Sequence, residues 1–245
     1  MGGLLISTLT NIISRRAEKV MRGEITYKHI KDHYVVVGYS QLTESIIHTL
    51  YKKEMAKIEG AAYRVGGRKM EVSKVLLLTN QNMEEVRRNL SSTLDKKVFD
   101  TIIFYSGFVE SREQLQRLNI DKAKEIYLLG EYGDPGTDTK NIEAFHHLAD
   151  LRGDNPRVNV HVHFETMSSY ATMQKLKMPD SYLTASSMLA NASGEVKHTI
   201  YFRPFNFYEL WAGKLWRFQW NETSKYRPLD NEVIVGDTYV HLVIV

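Results

Sequence analysis

The chain has 245 residues, of which 43% are hydrophobic and 25% are charged, a balance typical of a folded domain with a sizeable core. Its formal net charge of +3 is too small to indicate binding to nucleic acid, so we expect no nucleic acid among its partners. The chain has no cysteine, which excludes disulfide bonds and thiolate metal sites.

A short apolar segment lies near the N-terminus, and Arg15 and Arg16 follow it directly. Because the charges come after the apolar run, the segment is not a secretory signal peptide. It is also shorter than the ~20 apolar residues that a membrane-spanning helix needs. Two interpretations stay open: an amphipathic helix packed on the domain, or the cytoplasmic end of a membrane helix with its positive charges on the inner side. Residues 23–31 are then a linker.

Five short apolar runs predict buried strands. They cover residues 33–38, 75–78, 101–105, 125–130 and 158–163. Helices are predicted between and after them, over residues 42–57, 83–90, 111–118, 138–151 and 168–176. Strands that alternate with helices through short connections are typical of a doubly wound parallel sheet. We therefore predict an α/β, Rossmann-like fold with additional C-terminal helices.

The end of the chain repeats its first strand, because residues 241–245 have the same pattern as residues 33–37. A buried parallel strand needs a sheet, so the repeat predicts the start of a second Rossmann-like domain; a chance match of apolar residues is the alternative. Two more helices are predicted before it, and their apolar faces need a partner. We divide the chain into an N-terminal helix and linker, a Rossmann-like domain, a helical extension for dimerisation, and a truncated second domain: residues 1–31, 32–184, 185–237 and 238–245. The two helices of the extension cover residues 185–196 and 205–218.

The turn after the first strand is where this fold binds dinucleotides, through the fingerprint G-x-G-x-x-G. Here only its first glycine, Gly38, is present, and Ser40 and Thr43 replace the other two. The second strand ends at Asn80, where an acidic residue would hold the ribose. Both departures argue against ordinary NAD binding, although the start of the following helix can still attract an anion. The candidate ligand-binding residues lie at this edge of the sheet: Gly38, Tyr39, Ser40, Gln41, Asn80 and Ser106.

An acidic loop follows the fourth strand at the same edge of the sheet. Its residues Glu131, Asp134 and Asp138 offer the oxygen ligands that Ca²⁺ and Mg²⁺ prefer, which makes a divalent cation the candidate cofactor. The alternative is a polar loop in which Asp138 caps the next helix. His161 and His163 alternate on the fifth strand, a spacing that suits either a Zn²⁺ site or hydrogen-bonded histidines.

The sequence has no nucleophile elbow, no Walker loop and no metalloprotease helix, so we expect a ligand-sensing or interaction domain and no enzyme. Several stretches occur in an order that resembles one family, the regulator-of-potassium-conductance (RCK) domains of potassium channels and transporters. Residues 104–108, 112–120 and 122–129 are similar to the third strand, the next helix and the fourth strand of that family.

One branch of the family, the calcium-gated large-conductance channels with tandem domains, is the most similar. Its features here are the loop at residues 132–135 with Asp138 and Asn141, the loss of the second and third fingerprint glycines, and residues 203–212, which resemble the segment before the second domain.

The resemblance implies a cytoplasmic gating domain of a plasma-membrane (inner-membrane) protein, which couples ligand binding to pore opening. It implies a homo-oligomeric ring of paired domains and a pore-forming membrane segment elsewhere in the full-length protein. Residues 4–31 then correspond to the foot of the inner pore helix and its linker, and the helices near 168–196 to dimer surfaces. Members of the family bind NAD, nucleotides or divalent cations. Two alternatives stay open: an NAD-binding oxidoreductase or its remnant, and a ligand-free structural Rossmann module.

Overall fold

The structure, a computed structural model, describes residues 2–62, 71–152, 158–175 and 200–212. The chain divides into two units, Met1–Phe207 and Tyr208–Val245. The sheet, its helices and the candidate site all belong to the first unit.

Six strands form one sheet in the described part of the chain: β1 (His33–Val37), β2 (Val75–Thr79), β3 (Ile102–Ser106), β4 (Ala123–Leu128), β5 (Val158–His163) and β6 (Ile200–Phe205). Their order across the sheet is β3-β2-β1-β4-β5-β6, and every neighbouring pair is parallel. This confirms the predicted α/β, doubly wound fold. The strand order switches direction between β1 and β4, which is where such sheets bind ligands.

The helices lie before, between and after the strands: α1 (Gly2–Met21), α2 (Thr43–Ala62), α3 (Met83–Thr93), α4 (Lys96–Phe99), α5 (Arg112–Gln116), α6 (Thr137–Arg152) and α7 (Met167–Lys175). A short 3₁₀ helix, Ile120–Lys122, follows α5. The short helix α4 is an addition to the prediction, because four residues are too few to show a helical pattern in the sequence.

The central strands are buried on both faces of the sheet. Along β1, Val35 and Val37 enter one apolar core, whereas Tyr34 and Val36 enter the other. A strand between two layers of helices needs apolar side chains at every position. This explains why β1 and β2 are continuous apolar runs in the sequence rather than alternating ones.

β6 is a strand that the sequence analysis missed, since it lies in the segment that we expected to be a helical extension. It pairs with β5 from Val158 opposite Ile200 to His163 opposite Phe205. Its Pro204 has no N–H to donate. Proline is tolerated there because β6 is an edge strand of the described sheet, with no described strand on its other side. Arg203 and Pro204 interrupt the apolar run and hide the strand in the sequence.

Several predicted elements lie outside the described residues. These are the helix at residues 185–196, residues 213–218 of the helix at 205–218, and the repeated strand at 241–245; residues 207–212 are helical, as predicted. The division of the chain after the sheet therefore stays a prediction.

At the amino ends of the strands, Glu54 of α2 is buried, with 5% of its surface exposed. Its carboxylate accepts hydrogen bonds from the Tyr34 hydroxyl (2.7 Å), the Ser73 hydroxyl (2.6 Å), Lys57 (2.9 Å) and Lys124 (3.1 Å). Burial alone would raise the pKa of Glu54, but these four donors outweigh it and lower the pKa to about 2. The network binds α2 to β1 and β4 at the edge of the sheet opposite the candidate site.

The described side chains of α1, from residue 10 onward, are all exposed, although Val20 in its last turn lines a pocket beside β3. Ile12 and Ile13, for example, are 59% and 64% exposed. Over these residues the structure argues against an amphipathic helix packed on the domain. Among the described residues, no helix combines the length and the apolar character that crossing a membrane requires.

Candidate functional site

The carboxyl ends of β1 and β4 meet at the point where the strand order switches. Gly38 follows β1 with φ +93°, and Gly130 follows β4 with φ +75°. A Cβ atom on Gly38 would lie 2.2 Å from the carbonyl oxygen of Gly130, so the two backbones touch and only glycine fits. The contact lies at the ends of β1 and β4, where other doubly wound folds hold their ligand.

The side chain of Glu131 lies across the ends of β1 and β2 and is 6% exposed. One carboxylate oxygen, Oε2, accepts hydrogen bonds from the backbone N–H of Tyr39 (3.0 Å) and the hydroxyl of Thr79 (2.8 Å). The other, Oε1, accepts one from the backbone N–H of Asn80 (2.9 Å). Burial raises the pKa of Glu131, and these three donors offset only part of that effect. A buried carboxylate thus occupies the middle of the predicted ligand site.

The first turn of α2 uses its own side chains to satisfy its backbone donors. The N–H of Ser40 donates to the Thr43 hydroxyl (2.9 Å), and the N–H of Leu42 donates to the Ser40 hydroxyl (3.3 Å). These N–H groups belong to the turn that faces the phosphates when the fold binds a dinucleotide. Gln41 is exposed beside them. The residues that replace the second and third fingerprint glycines therefore take over donors that a phosphate would need.

Two of the predicted ligand-binding residues, Tyr39 and Asn80, donate to Glu131. Gly38 contacts Gly130 instead, and Ser40 bonds within the turn that precedes α2. The contribution of Glu131 itself was not predicted, because it was assigned to a metal site. Its bonds to Tyr39 and Asn80 connect residues 92 and 51 positions apart in the sequence. Since both donors are backbone N–H groups, which every residue except proline has, no sequence motif could have revealed them.

The carboxylates of the acidic loop do not share a site. Asp134 accepts hydrogen bonds from Lys140 (2.6 Å) and from the N–H of Gly136 (2.9 Å). The bond from Lys140 is the largest of the effects that lower the pKa of Asp134. Across the described ranges, no group of three or more histidine, aspartate and glutamate side chains is placed to hold a metal ion. The structure therefore does not bring Glu131, Asp134 and Asp138 together.

Asp138 binds the loop before α7 and does not cap α6, which begins one residue earlier at Thr137. It accepts hydrogen bonds from the N–H of Glu165 (2.7 Å), the N–H of Thr166 (3.3 Å) and the hydroxyl of Thr166 (2.7 Å). Its role is therefore to tie the start of α6 to the connection between β5 and α7.

His161 and His163 each have partners within the sheet. The ring of His161 stacks on Tyr127, with 4.5 Å between the ring centroids and 9° between the planes. Nδ1 of His163 lies 3.3 Å from the carbonyl oxygen of Leu129. Burial lowers the pKa of both rings, which favours their neutral forms. These contacts favour the interpretation of two structural histidines over that of a shared zinc site.

Ser106, the remaining predicted residue, contacts the linker instead of Glu131. Its N–H donates to the carbonyl oxygen of Gly23 (3.1 Å). Arg117 donates to the same carbonyl (3.1 Å), to the carbonyl of Ser106 (3.3 Å) and to the hydroxyl of Thr26 (3.2 Å). The linker is therefore bound to the carboxyl end of β3.

Gly23 also ends α1, in a conformation that only glycine adopts without strain. It has φ +70°, and a Cβ atom there would lie 2.7 Å from the backbone nitrogen of Ser106. The N–H of Gly23 donates to Val20 and the N–H of Glu24 donates to Lys19, which together make a Schellman motif. In the sequence, a glycine just after a helical segment indicates this motif. Nothing in the sequence indicates that Arg117 binds the carbonyl of Gly23.

The rest of the linker is bound to the segment that precedes β4. The side chain of Asn119 donates to the carbonyl of Tyr27 (2.6 Å), and the N–H of Asp32 donates to the carbonyl of Lys122 (3.0 Å). The rings of Tyr27 and Tyr105 meet edge to face, with 6.5 Å between centroids. The linker is thus attached to the domain at Gly23, Thr26, Tyr27 and Asp32.

Comparisons with known proteins support no assignment to a family. No protein-family model and no curated protein matches the chain. The similar solved structures include the GsuK channel bound to NAD, with 13% identity and a TM-score of 0.44; the match covers 71% of this chain and 25% of that one. GsuK bound to ADP has 14% identity and a TM-score of 0.43, with 68% of this chain and 35% of that one covered. The human SLO3 gating ring has 12% identity and a TM-score of 0.40, with 84% of this chain and 31% of that one covered. This chain spans about a quarter to a third of their lengths. Such TM-scores carry no argument about the function of this chain.

Proposed function

We propose that this chain is a regulatory gating domain of a potassium channel or potassium transport protein, and not an enzyme. Two lines support the proposal: the resemblance of its segments to RCK domains, and the attachment of the linker to the carboxyl edge of the sheet. The second observation carries most weight, because that edge is where doubly wound folds bind ligands. A rearrangement at the edge would move the linker and, through it, α1.

The contacts at the end of α1 show how such movement would be transmitted. On one side, Arg117 holds the carbonyl of Gly23. On the other, Arg87 of α3 donates to the carbonyl of Val20 (3.0 Å) and places its guanidinium 4.0 Å from the ring centroid of Phe104 in β3. The last turn of α1 is therefore held by groups that all pack on β3. A ligand that binds one position of β3 more tightly than another would bias the position of α1, by at most the difference between its two binding free energies.

We further propose that the domain assembles as a homo-oligomeric ring on the cytoplasmic side of the plasma membrane, joined to a pore-forming segment of the full-length protein. The support for this part is the family resemblance, together with the exposed apolar side chains of α1. Ile12 and Ile13 are exposed in the described unit and would pack against neighbouring parts of the complete protein.

A transport assay tests the proposed function. The complete protein is placed in lipid vesicles, and the uptake of rubidium, a tracer for potassium, is measured against an excess of either potassium or sodium outside. We expect uptake that external potassium suppresses and external sodium does not. Vesicles without protein are the control, and an absence of uptake above that control would contradict the proposal.

One observation favours a second candidate, a ligand-free structural module. The donors at the carboxyl edge are already bound to Glu131 and to the side chains of Ser40 and Thr43. A module of this kind would bind none of the family's ligands, so Ca²⁺, Mg²⁺, NAD and adenine nucleotides would all leave its melting temperature unchanged.

A further inference from the structure

Three donors from the ends of two neighbouring strands converge on one group. The N–H of Tyr39 follows β1, and the hydroxyl of Thr79 and the N–H of Asn80 end β2. When such a sheet binds a dinucleotide, the turn after the first strand faces the phosphates and the end of the second strand faces the ribose, so all three donors lie where a nucleotide would be held. In this chain they bind the Glu131 carboxylate, an anion that accepts the same charge-assisted hydrogen bonds as a phosphate oxygen.

The carboxylate is buried here against an electrostatic cost. Its surroundings raise the pKa of Glu131, so they disfavour its charged form even with three donors in place. Among the described residues, no lysine or arginine donates to it, in contrast to Glu54 at the opposite edge of the sheet. Glu131 is thus held by the neutral donors at the ends of β1 and β2, the same groups that would bind another anion there.

The loop that carries Glu131 is fixed to the same turn by its backbone. The N–H of Tyr132 donates to the carbonyl of Tyr39 (2.8 Å), and the side chain of Gln81 donates to that carbonyl as well (3.3 Å). Because the loop is fixed, the carboxylate is presented to its donors as part of the folded chain. A group held in this way competes with a dissolved ligand at an effective concentration of roughly millimolar or above.

We propose that Glu131 is a built-in occupant of a phosphate site, and that it excludes phosphate-bearing ligands, free phosphate and nucleotides alike, while it stays bound to Tyr39, Thr79 and Asn80. The site is thus autoinhibited by the chain's own side chain. This inference does not depend on the proposed function, because it is tested by binding to the 245-residue chain without any transport assay.

The test compares two substitutions at Glu131 with a matched control. Glu131→Ala removes the carboxylate and opens space, Glu131→Gln removes the charge but keeps the volume, and Glu113→Ala removes an exposed carboxylate on α5. Binding of inorganic phosphate and of ADP is measured by calorimetry, and melting temperatures are measured with and without each ligand. The two ligands separate a site for phosphate alone from one that also accepts a nucleotide.

We expect wild type and Glu113→Ala to show no binding and no shift in melting temperature. Glu131→Ala should bind at least one of the two ligands at least about tenfold more tightly than wild type, and its melting temperature should rise with that ligand. Glu131→Gln should respond less than Glu131→Ala, because the amide still fills the space.

Three results would overturn the inference. One is ADP or phosphate binding to wild type that shifts the amide signals of Tyr39 and Asn80 in an NMR spectrum. Another is a folded Glu131→Ala variant that responds to neither ligand. If Glu131→Ala unfolds in plain buffer, the inference predicts that about 0.1 M acetate or phosphate restores its fold, and a failure to do so is the third.

Discussion

Two buried glutamates lie at opposite edges of the sheet, and their environments shift their pKa values in opposite directions. Burial acts on both, but Glu54 receives two lysine ammonium groups among its four donors, whereas the described donors to Glu131 are all neutral. The pKa of Glu54 falls to about 2 and that of Glu131 rises. Glu54 therefore stabilises the fold in its charged form. The contribution of Glu131 to the stability of the fold decreases as the pH rises through its raised pKa.

The first residue-scale prediction concerns Glu54. Because its pKa is lower in the folded chain than its ordinary value of 4.5, its contribution to stability is complete above pH 4.5 and is lost as the pH falls toward 2. At pH 7, Glu54→Gln should lower the free energy of unfolding by up to about 3 kcal/mol, the value of the pKa shift. The measurement is urea unfolding at pH 7 and at pH 3, where the difference from wild type should be smaller.

The control for Glu54 is Glu59→Gln, which changes an exposed carboxylate on the same helix and should alter stability by less than about 0.5 kcal/mol. A Glu54→Gln penalty that is equally large at pH 3 and pH 7 would show that lost packing, and not the charge, is the cause.

The residues at the candidate site also show the limit of sequence reasoning. The fingerprint predicted that Gly38, Tyr39 and Asn80 share one edge of the sheet, and they do, but ligand binding there stays a prediction. It could not predict that Glu131 fills the site, because an acidic residue in a glycine-rich loop has the same appearance whether it binds a cation or a row of N–H groups. Only the backbone path, with Gly130 at φ +75°, turns the side chain toward β1 and β2.

At the scale of elements, the linker between α1 and β1 matters most for the proposed coupling. It has the composition of an ordinary loop, yet Arg117, 94 positions later in the chain, fixes its first residue, Gly23. Long-range contacts of this kind leave no local pattern in the sequence. β1 and β2, by contrast, were predictable because burial on both faces produces continuous apolar runs. β6 was missed because Arg203 and Pro204 interrupt its apolar run.

The element-scale prediction concerns Gly23. Gly23→Ala places a Cβ atom 2.7 Å from the backbone of Ser106 at a residue with φ +70°. We expect a loss of about 1–3 kcal/mol in the free energy of unfolding, from backbone strain and the lost linker contact. Thermal unfolding of the 245-residue chain measures it.

Gly60→Ala provides the matched control for Gly23. Gly60 lies within α2, and a Cβ atom there would meet nothing within 4 Å, so alanine should stabilise the chain by up to about 1 kcal/mol. If Gly23→Ala is as well tolerated as Gly60→Ala, the linker is not held against β3 as described.

At the scale of the whole molecule, the linker connects the N-terminal helix α1 to a doubly wound sheet. The α/β class was predictable from the alternation of strands and helices, and the structure confirms it. The coupling between sheet and helix was not predictable, because it depends on which loop meets which strand end. The central claim is that the contact of Arg117 with Gly23, Thr26 and Ser106 transmits changes in the sheet to α1.

The most direct test of this claim measures rubidium uptake into vesicles that carry the complete protein, with wild type, Arg117→Ala and Arg112→Ala compared. Arg112 is an exposed arginine at the start of α5, the helix that Arg117 directly follows, and it serves as the control. We predict that Arg117→Ala changes the uptake rate at least about fivefold, the size of an ordinary allosteric coupling, whereas Arg112→Ala keeps the wild-type rate. Equal uptake rates for all three proteins, with Arg117→Ala folded, would contradict the account.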